Sequence, residues 1–363
     1  MKYKAIPKTV VYLAISSLIN HASAGALGRS GQAVTPLFED GRVFEYYQGF
    51  ISPNVEGEDS VGQSTGSVSK DYILSGVAFK TDIDSAFSLA VIVDQPWGAD
   101  FEYSATSPLY GGTRANADSL AISSLLAFHF SDNLSFYGGP RLQQFSGKLE
   151  LNGLAFGPLA GYTMDSDKDW EPGYVAGLAY QLSDYGMRAS ITYSSKIDYD
   201  LATTDNISTT PTSTKVTTPQ SVNITFRTGI AKNTLLLSSI RWVNWREFEF
   251  DPETLTSPVV AFDKDITTYT LGVAHRFSPT WSGALTLRHE PGAGTTNSLF
   301  RPTNGYTGLV ISGIYTTAGK MKITSGLSYT RPGDASAETA GGNSVSFSGS
   351  DSLALGIKLS VPF

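Results

Sequence analysis

Histidine is the side chain here best suited to acid–base or metal chemistry, and three of the four histidines can be checked against known catalytic and metal-binding motifs. His129, His275 and His289 fall in three different predicted strands, and no G-x-S-x-G or H-E-x-x-H spacing surrounds them. Cysteine is absent, which removes thiol nucleophiles and thiolate metal sites. These observations predict a protein that is not an enzyme and that needs no metal or other cofactor.

Cationic side chains recur at positions that a strand would turn to its inner face. They could bind an anionic headgroup, or they could pair with inward acids such as Asp198 and hold a wall together. We favour the structural role for any single one, since buried charges are usually paired. We keep Arg141 and Arg241 as ligand candidates. The set comprises Arg141, Arg188, Lys196, Arg227 and Arg241.

Apolar side chains stand in two places where a polar residue would be expected. The predicted loop 149–170 carries Leu154, Phe156, Leu159 and Tyr162, and this run is either a capture surface or a lid packed over an opening. The other place is the strand predicted near residues 233–248. It has Leu235, Leu237, Val243 and Trp245 on one face although Leu236, Ile240 and Trp242 occupy the other. That second face indicates either a hydrophobic pocket or a register shift at a bulge.

The elements that would position these side chains are strands with a strict period of two. From Leu353 to Phe363, the odd positions are large and apolar, whereas the even positions up to Ser360 are small or polar. Such a strand presents one apolar and one polar face. The same alternation recurs along the chain, and its polar face is mostly Ser, Thr, Gly and Ala. A membrane barrel, with lipid on one side and a partly filled lumen on the other, requires this pattern.

Short and long connections alternate between the predicted strands, as they do in antiparallel outer-membrane barrels. The long ones are 54–69, 96–116, 149–170, 200–218, 249–263, 291–304 and 332–349. We therefore predict an all-β fold, a transmembrane antiparallel β-barrel of about 14 strands over residues 42–363. A soluble β-sandwich is the competing interpretation. The predicted strands lie near 42–53, 70–80, 84–95, 117–130, 133–148, 171–183, 186–199, 219–231, 233–248, 264–277, 280–290, 305–317, 320–331 and 350–363.

The N-terminus and the composition indicate export to a membrane. Lys2, Lys4 and Lys8 precede a short apolar stretch and an Ala-Ser-Ala site ending at Ala24, so residues 1–24 are predicted to be a signal peptide. The charged fraction is 16%, below the roughly 25% of soluble domains. The net charge is −7, which argues against a nucleic-acid partner. We expect the cell outer membrane of a Gram-negative bacterium.

Residues 25–41 stand between the leader and the first predicted strand. They are rich in small residues and contain Pro36. They could remain a frayed terminus or fold into the lumen as a short hatch. As a hatch, the segment would use Leu27, Arg29 and Phe38 for gating.

Several stretches together resemble the FadL family of outer-membrane transporters for long-chain fatty acids and other hydrophobic molecules. Residues 25–33, GALGRSGQA, are similar to the start of the family's N-terminal hatch. The most specific match is WEPGYVAGLAY from Trp170, followed by RASITYSSKIDYDL from Arg188. Pro219 to Val222 and Ile240 to Trp245 resemble the following hairpin. The chain departs from the family in its shorter hatch, in having no Asn-Pro-Ala motif, and in Ser194 where the family has arginine.

The resemblance implies passive uptake of hydrophobic small molecules, in particular long-chain fatty acids. It also implies capture at an outer loop and lateral exit at a bent strand, for which Pro96 and Gly98 are the candidates. By residue type alone, those two residues could simply begin an outer loop. The competing functions are a general pore and a structural or adhesive barrel. Expected partners are a fatty acid or an aromatic ligand, outer-membrane lipid and lipopolysaccharide, and the barrel-assembly machinery through Phe363. The candidate ligand-binding residues are Arg141, Leu154, Phe156, Leu159, Tyr162, Leu235, Leu237, Arg241 and Trp245.

Overall fold

The computed structural model describes residues 27–256, 258–292, 298–339 and 342–363. The predicted signal peptide, residues 1–24, lies outside the described residues, as do the first two residues of the predicted hatch. In the described part of the chain, no helix has the length and apolar character needed to cross a membrane. Within these described ranges the helical elements are four short 3₁₀ segments, Thr35–Phe38, Leu154–Leu159, Ser183–Tyr185 and Trp245–Glu247.

Strands make up most of the described chain. In chain order they are β1 (Val43–Asn54), β2 (Glu56–Asp59), β3 (Ser64–Ser67), β4 (Tyr72–Asp82), β5 (Phe87–Asp94), β6 (Gly98–Glu102), β7 (Arg114–His129), β8 (Leu134–Leu151), β9 (Tyr162–Ser166), β10 (Asp169–Leu182), β11 (Met187–Ser194), β12 (Ile197–Asp205), β13 (Thr212–Thr218), β14 (Ser221–Ala231), β15 (Thr234–Val243), β16 (Glu249–Pro252), β17 (Val260–Ala261), β18 (Ile266–Arg276), β19 (Trp281–Glu290), β20 (Tyr306–Thr316), β21 (Lys322–Pro332), β22 (Ala335–Glu338), β23 (Ser344–Phe347) and β24 (Asp351–Pro362).

These strands form a closed antiparallel barrel of 14 wall strands, which confirms the predicted fold. Several wall strands are built from two consecutive segments, such as β5 with β6, β11 with β12 and β13 with β14. The barrel closes where β1 pairs with β24, in register from Val43↔Pro362 to Asn54↔Asp351. Short turns gather at one end and long connections at the other, as the loop lengths predict.

The apolar face of the wall strands points outward. In β24, Leu353, Leu355 and Ile357 are all exposed, whereas Ser352, Ala354 and Lys358 face inward and are buried. In water such a belt would be unfavourable, but next to acyl chains it is the solvated surface. The strand pattern therefore sets both the fold and its environment.

Replacing the outward-facing Leu355 by arginine should destabilise the barrel by about 2–4 kcal/mol, because a charged group would enter the apolar belt. Leu355→Ala removes apolar contact without adding charge and serves as the control. The measurement is urea unfolding of protein refolded into lipid vesicles. Equal free energies of unfolding for the two variants would show that Leu355 does not face acyl chains.

One face prediction was wrong. Lys196 and Asp198 were expected to point inward, but both side chains are at least half exposed and form an ion pair at 3.4 Å on the outer surface. In β11 the inward residues are even-numbered, such as Ser190 and Ser194, whereas in β12 they are odd-numbered, such as Ile197. The break between the two segments reverses the faces, as an extra residue in a strand does.

The first and last long connections, 54–69 and 332–349, contain short strands that the sequence analysis did not predict. They form a second sheet of four short strands in the order β22-β23-β2-β3. Strand β2 pairs with β23 from Gly57↔Phe347 to Asp59↔Val345, so the two loops join each other. Val55, Val68, Tyr103, Val345 and Phe347 pack beneath this sheet in a buried apolar cluster.

Candidate functional site

The segment before β1 lies inside the barrel and is bonded to one side of its wall. Arg241 of β15 donates from Nη1 to the Gly31 carbonyl at 2.9 Å and from Nη2 to Oε1 of Gln32 at 3.1 Å. Asn223 donates to the same Gly31 carbonyl at 3.0 Å, and Ser221 donates to Gln32 Oε1 at 2.7 Å. We call this segment, residues 27–41, the hatch. The contacts satisfy buried polar groups of the hatch, which would otherwise cost about 1–3 kcal/mol each.

The hatch also bonds to the opposite side of the wall. Arg29 N donates to the Pro96 carbonyl at 2.8 Å, Ser30 N donates to the Gln95 carbonyl at 3.0 Å, and Gly98 N donates to the Leu27 carbonyl at 2.7 Å. The Ser30 hydroxyl donates to the carboxylate of Asp94. The hatch therefore spans the lumen from β14 and β15 to β5 and β6.

The later part of the hatch is held by apolar packing. Val34 and Leu37 lie in a buried cluster with side chains of β4, β5, β7, β8 and β10. The Phe38 ring meets Tyr137 edge-on at 5.5 Å between centroids, and the Arg188 guanidinium lies 4.3 Å from the Phe38 centroid. Both an aromatic edge contact and a cation–π contact favour one fixed position for this ring.

A cavity of about 250 Å³ lies between the hatch and the wall from β11 to β21. Its lining includes five arginines, Arg29, Arg188, Arg227, Arg241 and Arg288. Two acidic side chains, Glu39 and Glu290, also line it, and Glu39 is already paired with Lys322 at 2.9 Å. The lining therefore has an excess of positive charge, which favours an anionic group over a cationic one.

An apolar cluster adjoins this cavity through residues that belong to both. Trp97 and Trp245 line the cavity and contact each other edge-on at 5.3 Å between ring centroids. Trp245 also packs on Phe262 at 4.8 Å. The Arg241 guanidinium lies 5.8 Å from the Trp97 centroid, so the charged and apolar regions meet here. The other buried aromatic members are Phe145, Tyr162, Tyr199, Phe248, Phe250 and Phe300.

Sequence reasoning missed Ile197, Tyr199 and Leu201 as lumen residues. The alternation placed Ile197 and Tyr199 on the apolar face of the strand predicted at 186–199, and Leu201 fell in the predicted loop 200–218. All three are buried in the apolar cluster, since β12 has reversed its faces. The sequence did contain a signal for this reversal of faces. The alternate positions Lys196, Asp198 and Asp200 are charged, and charged side chains are costly on a lipid face.

The predicted apolar ligand residues fall into three groups. Tyr162 and Trp245 are buried in the apolar cluster and Phe156 packs against it, whereas Leu154 and Leu159 in the same loop are exposed. Leu235 and Leu237 do face inward. The pairing of β15 with β18 has no register shift, but its pairing with β14 shifts register between Gly229 and Ala231, next to Leu235. The two leucines pack in a separate apolar cluster with Ala274, Ala284 and Ile314, on β18 to β20, and Leu237 also lines the cavity. Trp245 lies just beyond β15, in a 3₁₀ turn rather than in the strand.

Arg141 faces inward on β8 and is buried. Its Nε donates to the Ser123 hydroxyl at 2.9 Å, and its charge interacts with the Asp94 carboxylate. Among the described residues, neither Arg141 Nη1 nor Asp94 Oδ1 has a hydrogen-bond partner. Arg241 is the second arginine whose charge acts on the same side chain.

The wall itself is interrupted beside the hatch. The ladder between β4 and β5 ends at Val77↔Val93. Next to it, the amide of Ser75 donates to the side-chain Oε1 of Gln95 at 2.9 Å rather than to a main-chain carbonyl. Main-chain contact returns further along, where Lys70 N donates to the Asp100 carbonyl at 3.0 Å. We call the gap between residues 72–76 and 95–98 the wall opening.

A bulge creates the wall opening. The four steps from Asp94 to Gly98 lie opposite three steps on β7, from Ala121 to Asp118. The extra residue reverses the faces, so Asp94 points inward before the bulge and Trp97 points inward after it. Proline at position 96 has no amide hydrogen for a wall partner. Pro96 and Gly98 thus lie at a real bend between two strand segments.

The described residues contain no group of three or more His, Asp or Glu side chains placed to hold a metal ion. His129 is bonded to Ser88 and Ser135, both at 2.9 Å, and His275 to Thr234 at 2.9 Å. His289 is bonded to Thr307 at 3.1 Å. The arrangement can hold an amphiphilic molecule, with an anionic end among the arginines and an apolar end beside the tryptophans.

Comparison with known proteins agrees with this architecture. A family model described as "Outer membrane protein transport protein (OMPP1/FadL/TodX)" matches residues 38–288. No curated protein matches the sequence. Among solved structures, a FadL homologue of Pseudomonas aeruginosa superposes with a TM-score of 0.76 at 13% identity, covering 96% of this chain and 94% of that one.

Two further structures are similar over most of their length. The toluene transporter TbuX of Ralstonia pickettii gives a TM-score of 0.63 at 15% identity, covering 96% of this chain and 93% of that one. The toluene transporter TodX of Pseudomonas putida gives 0.65 at 13% identity, covering 96% and 94%. At such identities the likeness to these structures establishes the fold.

Proposed function

The chain belongs to the outer membrane protein transport protein family (OMPP1/FadL/TodX), and on that basis we propose that it takes up long-chain fatty acids by passive diffusion. Its place as a β-barrel of the Gram-negative outer membrane and its class as a transporter of hydrophobic compounds follow from the family. The identity of the ligand and its route are our proposals. We propose transport rather than catalysis as its whole activity.

The observation that carries the proposal is the meeting of an arginine-rich cavity and an apolar cluster at Arg241, Trp97 and Trp245. A fatty acid has a carboxylate that guanidinium groups bind well and a chain that gains about 0.8 kcal/mol for each buried methylene. Neither region alone would select such a molecule. A purely aqueous pore would need no buried aromatic cluster in its lumen.

We propose that capture occurs at the third long loop. Leu154 and Leu159 are exposed, and Phe156 between them packs against the apolar cluster. A chain that lands on the exposed pair can therefore pass along Phe156 to Tyr162 and Trp245 without crossing a polar surface. In this proposal the buried half of the loop covers the opening and the exposed half captures the ligand, which would combine the two interpretations of the sequence.

We propose that the ligand leaves sideways through the wall opening at Pro96 and Gly98. The cavity lies against the hatch, and the hatch lies against this opening, so an exit there avoids the full length of the lumen. We further propose that residues 25–41 gate the route through Leu27, Arg29 and Phe38. Outer-membrane lipid and lipopolysaccharide would surround the wall, and the exposed Phe363 would be read by the barrel-assembly machinery during insertion.

A neutral aromatic ligand is the second candidate. The edge-on contacts among Trp97, Trp245, Phe248 and Phe262 form a surface on which an aromatic ring would pack well. Such a ligand would bind in the apolar cluster and would gain nothing from the arginines.

The test is native mass spectrometry of detergent-purified protein incubated with oleate, with toluene and with neither, with planar-bilayer conductance measured in parallel. We expect retained oleate and little steady conductance, because the hatch spans the lumen. Retention of toluene but not oleate would favour the aromatic ligand. A stable open conductance with no retained ligand would mean a general pore and would contradict the proposal.

A further inference from the structure

The Arg29 side chain lies at the wall opening. A Cβ added to Gly98 would lie 2.6 Å from Arg29 Nε and 2.7 Å from Cζ, so the absence of a side chain at Gly98 makes room for the guanidinium. On the other side, the guanidinium carbon lies 4.3 Å from the centroid of the Tyr72 ring, at the start of β4. Arg29 is almost completely buried between these two edges.

The guanidinium extends toward a carboxylate on the outer face of the wall. Arg29 Nη1 lies 3.9 Å from Oδ1 of Asp118, whose side chain is 58% exposed. Asp118 is on the face of β7 that also carries the exposed Ile122 and Leu126, whereas Ser119 and Ala121 point inward. A side chain that starts inside the barrel and meets this carboxylate must pass through the wall.

Arg29 also separates two spaces within the barrel. It lines the large lumen cavity and a second cavity of about 70 Å³, which is bounded by Tyr72, Gly98 and Phe300 among others. Its main chain is bonded to Pro96, so the side chain is positioned by the same bend that creates the wall opening. Burial of a guanidinium here is tolerable because a ring face and a carboxylate partly replace water.

We propose that the Arg29 side chain closes the wall opening and that it must withdraw before a ligand can pass sideways into the membrane. Tyr72 and Asp118 hold the closed position, and Gly98 provides the space for it. The inference rests on the proposed lateral exit for its role in transport. The closure itself can be measured without any ligand.

The chain has no cysteine, so a single introduced thiol reports accessibility cleanly. Ala99→Cys places a thiol on the lumen side, next to the wall opening. The probe is N-(1-pyrenyl)maleimide dissolved in phosphatidylcholine vesicles that carry the protein. Ala284→Cys, inward-facing on β19, is the matched control for a thiol far from the opening. Gel mobility with and without heating verifies that each barrel is folded.

We expect Arg29→Ser, added to the Ala99→Cys variant, to raise the labelling rate of the thiol at position 99 about tenfold, the factor that loss of one desolvated cation–π contact can produce. Arg29→Lys should restore part of the protection because the charge remains. Asp118→Asn should give a smaller rise, and it carries the test if Arg29→Ser does not fold. Labelling of the control thiol at position 284 should not change. Unchanged labelling at position 99 in Arg29→Ser, or in Asp118→Asn alone if the former is unfolded, would overturn the proposal.

Transfer of cis-parinaric acid into the same vesicles separates this inference from the proposed function. If labelling at position 99 rises but fatty-acid transfer stays the same, the opening exists and Arg29 closes it, but the lateral exit is wrong. If the wild type transfers the acid and Arg29→Ser changes neither labelling nor transfer, the proposed uptake stands and the role of Arg29 is wrong. An increase in both supports the two together.

Discussion

Arg241→Ala should weaken oleate binding about 30-fold and leave toluene binding nearly unchanged. A charge-assisted hydrogen bond to a carboxylate contributes about 2 kcal/mol, which corresponds to this factor. Arg241 lines the cavity and lies next to Trp97, so it is the arginine placed where head and chain of a fatty acid would meet. The measurement is isothermal titration of each ligand into detergent-solubilised protein.

Arg241 also bonds to the hatch, so its replacement has two effects that need to be separated. Asn223→Ala removes a hydrogen bond to the same Gly31 carbonyl, and also the bond at 2.8 Å that Arg241 Nη1 donates to Asn223 Oδ1, while it leaves the positive charge in place. We expect Asn223→Ala to weaken oleate binding far less than Arg241→Ala does. Equal losses in the two variants, or equal losses of oleate and toluene in Arg241→Ala, would show that Arg241 acts by holding the hatch and not by binding a carboxylate.

Deleting residues 27–38 should convert a nearly closed barrel into one with steady conductance in planar bilayers. The deleted segment spans the lumen between Arg241 on one side and Asp94 on the other, and it forms one boundary of the cavity. Removing it also removes the apolar packing of Val34 and Leu37 against the wall. Ion flow through the emptied lumen is the direct consequence.

The matched control for this deletion replaces the same stretch by Gly-Ser repeats of equal length. It keeps a chain in the lumen but removes the side chains that tie it to the wall. We expect intermediate, fluctuating conductance from this variant. If the deletion variant remains closed, the seal is the apolar cluster around Trp97 and Trp245, and the hatch does not occlude the lumen.

Most of the fold could be predicted from the sequence because the barrel imposes one simple rule on every strand. Lipid outside and small polar side chains inside require alternation with a period of two, and the alternation of short and long connections sets the topology. The C-terminal strand shows this, since its exposed residues are those that the pattern assigns to lipid. Strand ends beside the short turns were placed closely, but those beside the long loops were not: β12 runs on to Asp205 and β13 begins at Thr212, inside the predicted loop 200–218.

The site was less predictable, because its contacts join residues far apart in the chain. Arg241 and Gly31 are 210 positions apart, and no local pattern connects them. Interruptions of the strands caused the errors in side-chain orientation, since one extra residue exchanges the inner and outer faces of everything that follows. Lys196 and Ile197 were both misplaced for that reason. The arginines could be identified by type, but their grouping around one cavity required the closed barrel.

The small sheet above the barrel gives the junction between the two chain ends a second fastening. Strands β1 and β24 meet along one seam, where Lys358 Nζ lies 3.1 Å from Glu45 Oε1 inside the wall. The loops that continue from these same strands are joined again by β2 and β23. Unzipping the seam from its loop end must therefore first break a ladder outside the membrane. We therefore expect unfolding of the barrel to begin at a strand pair other than β1 and β24.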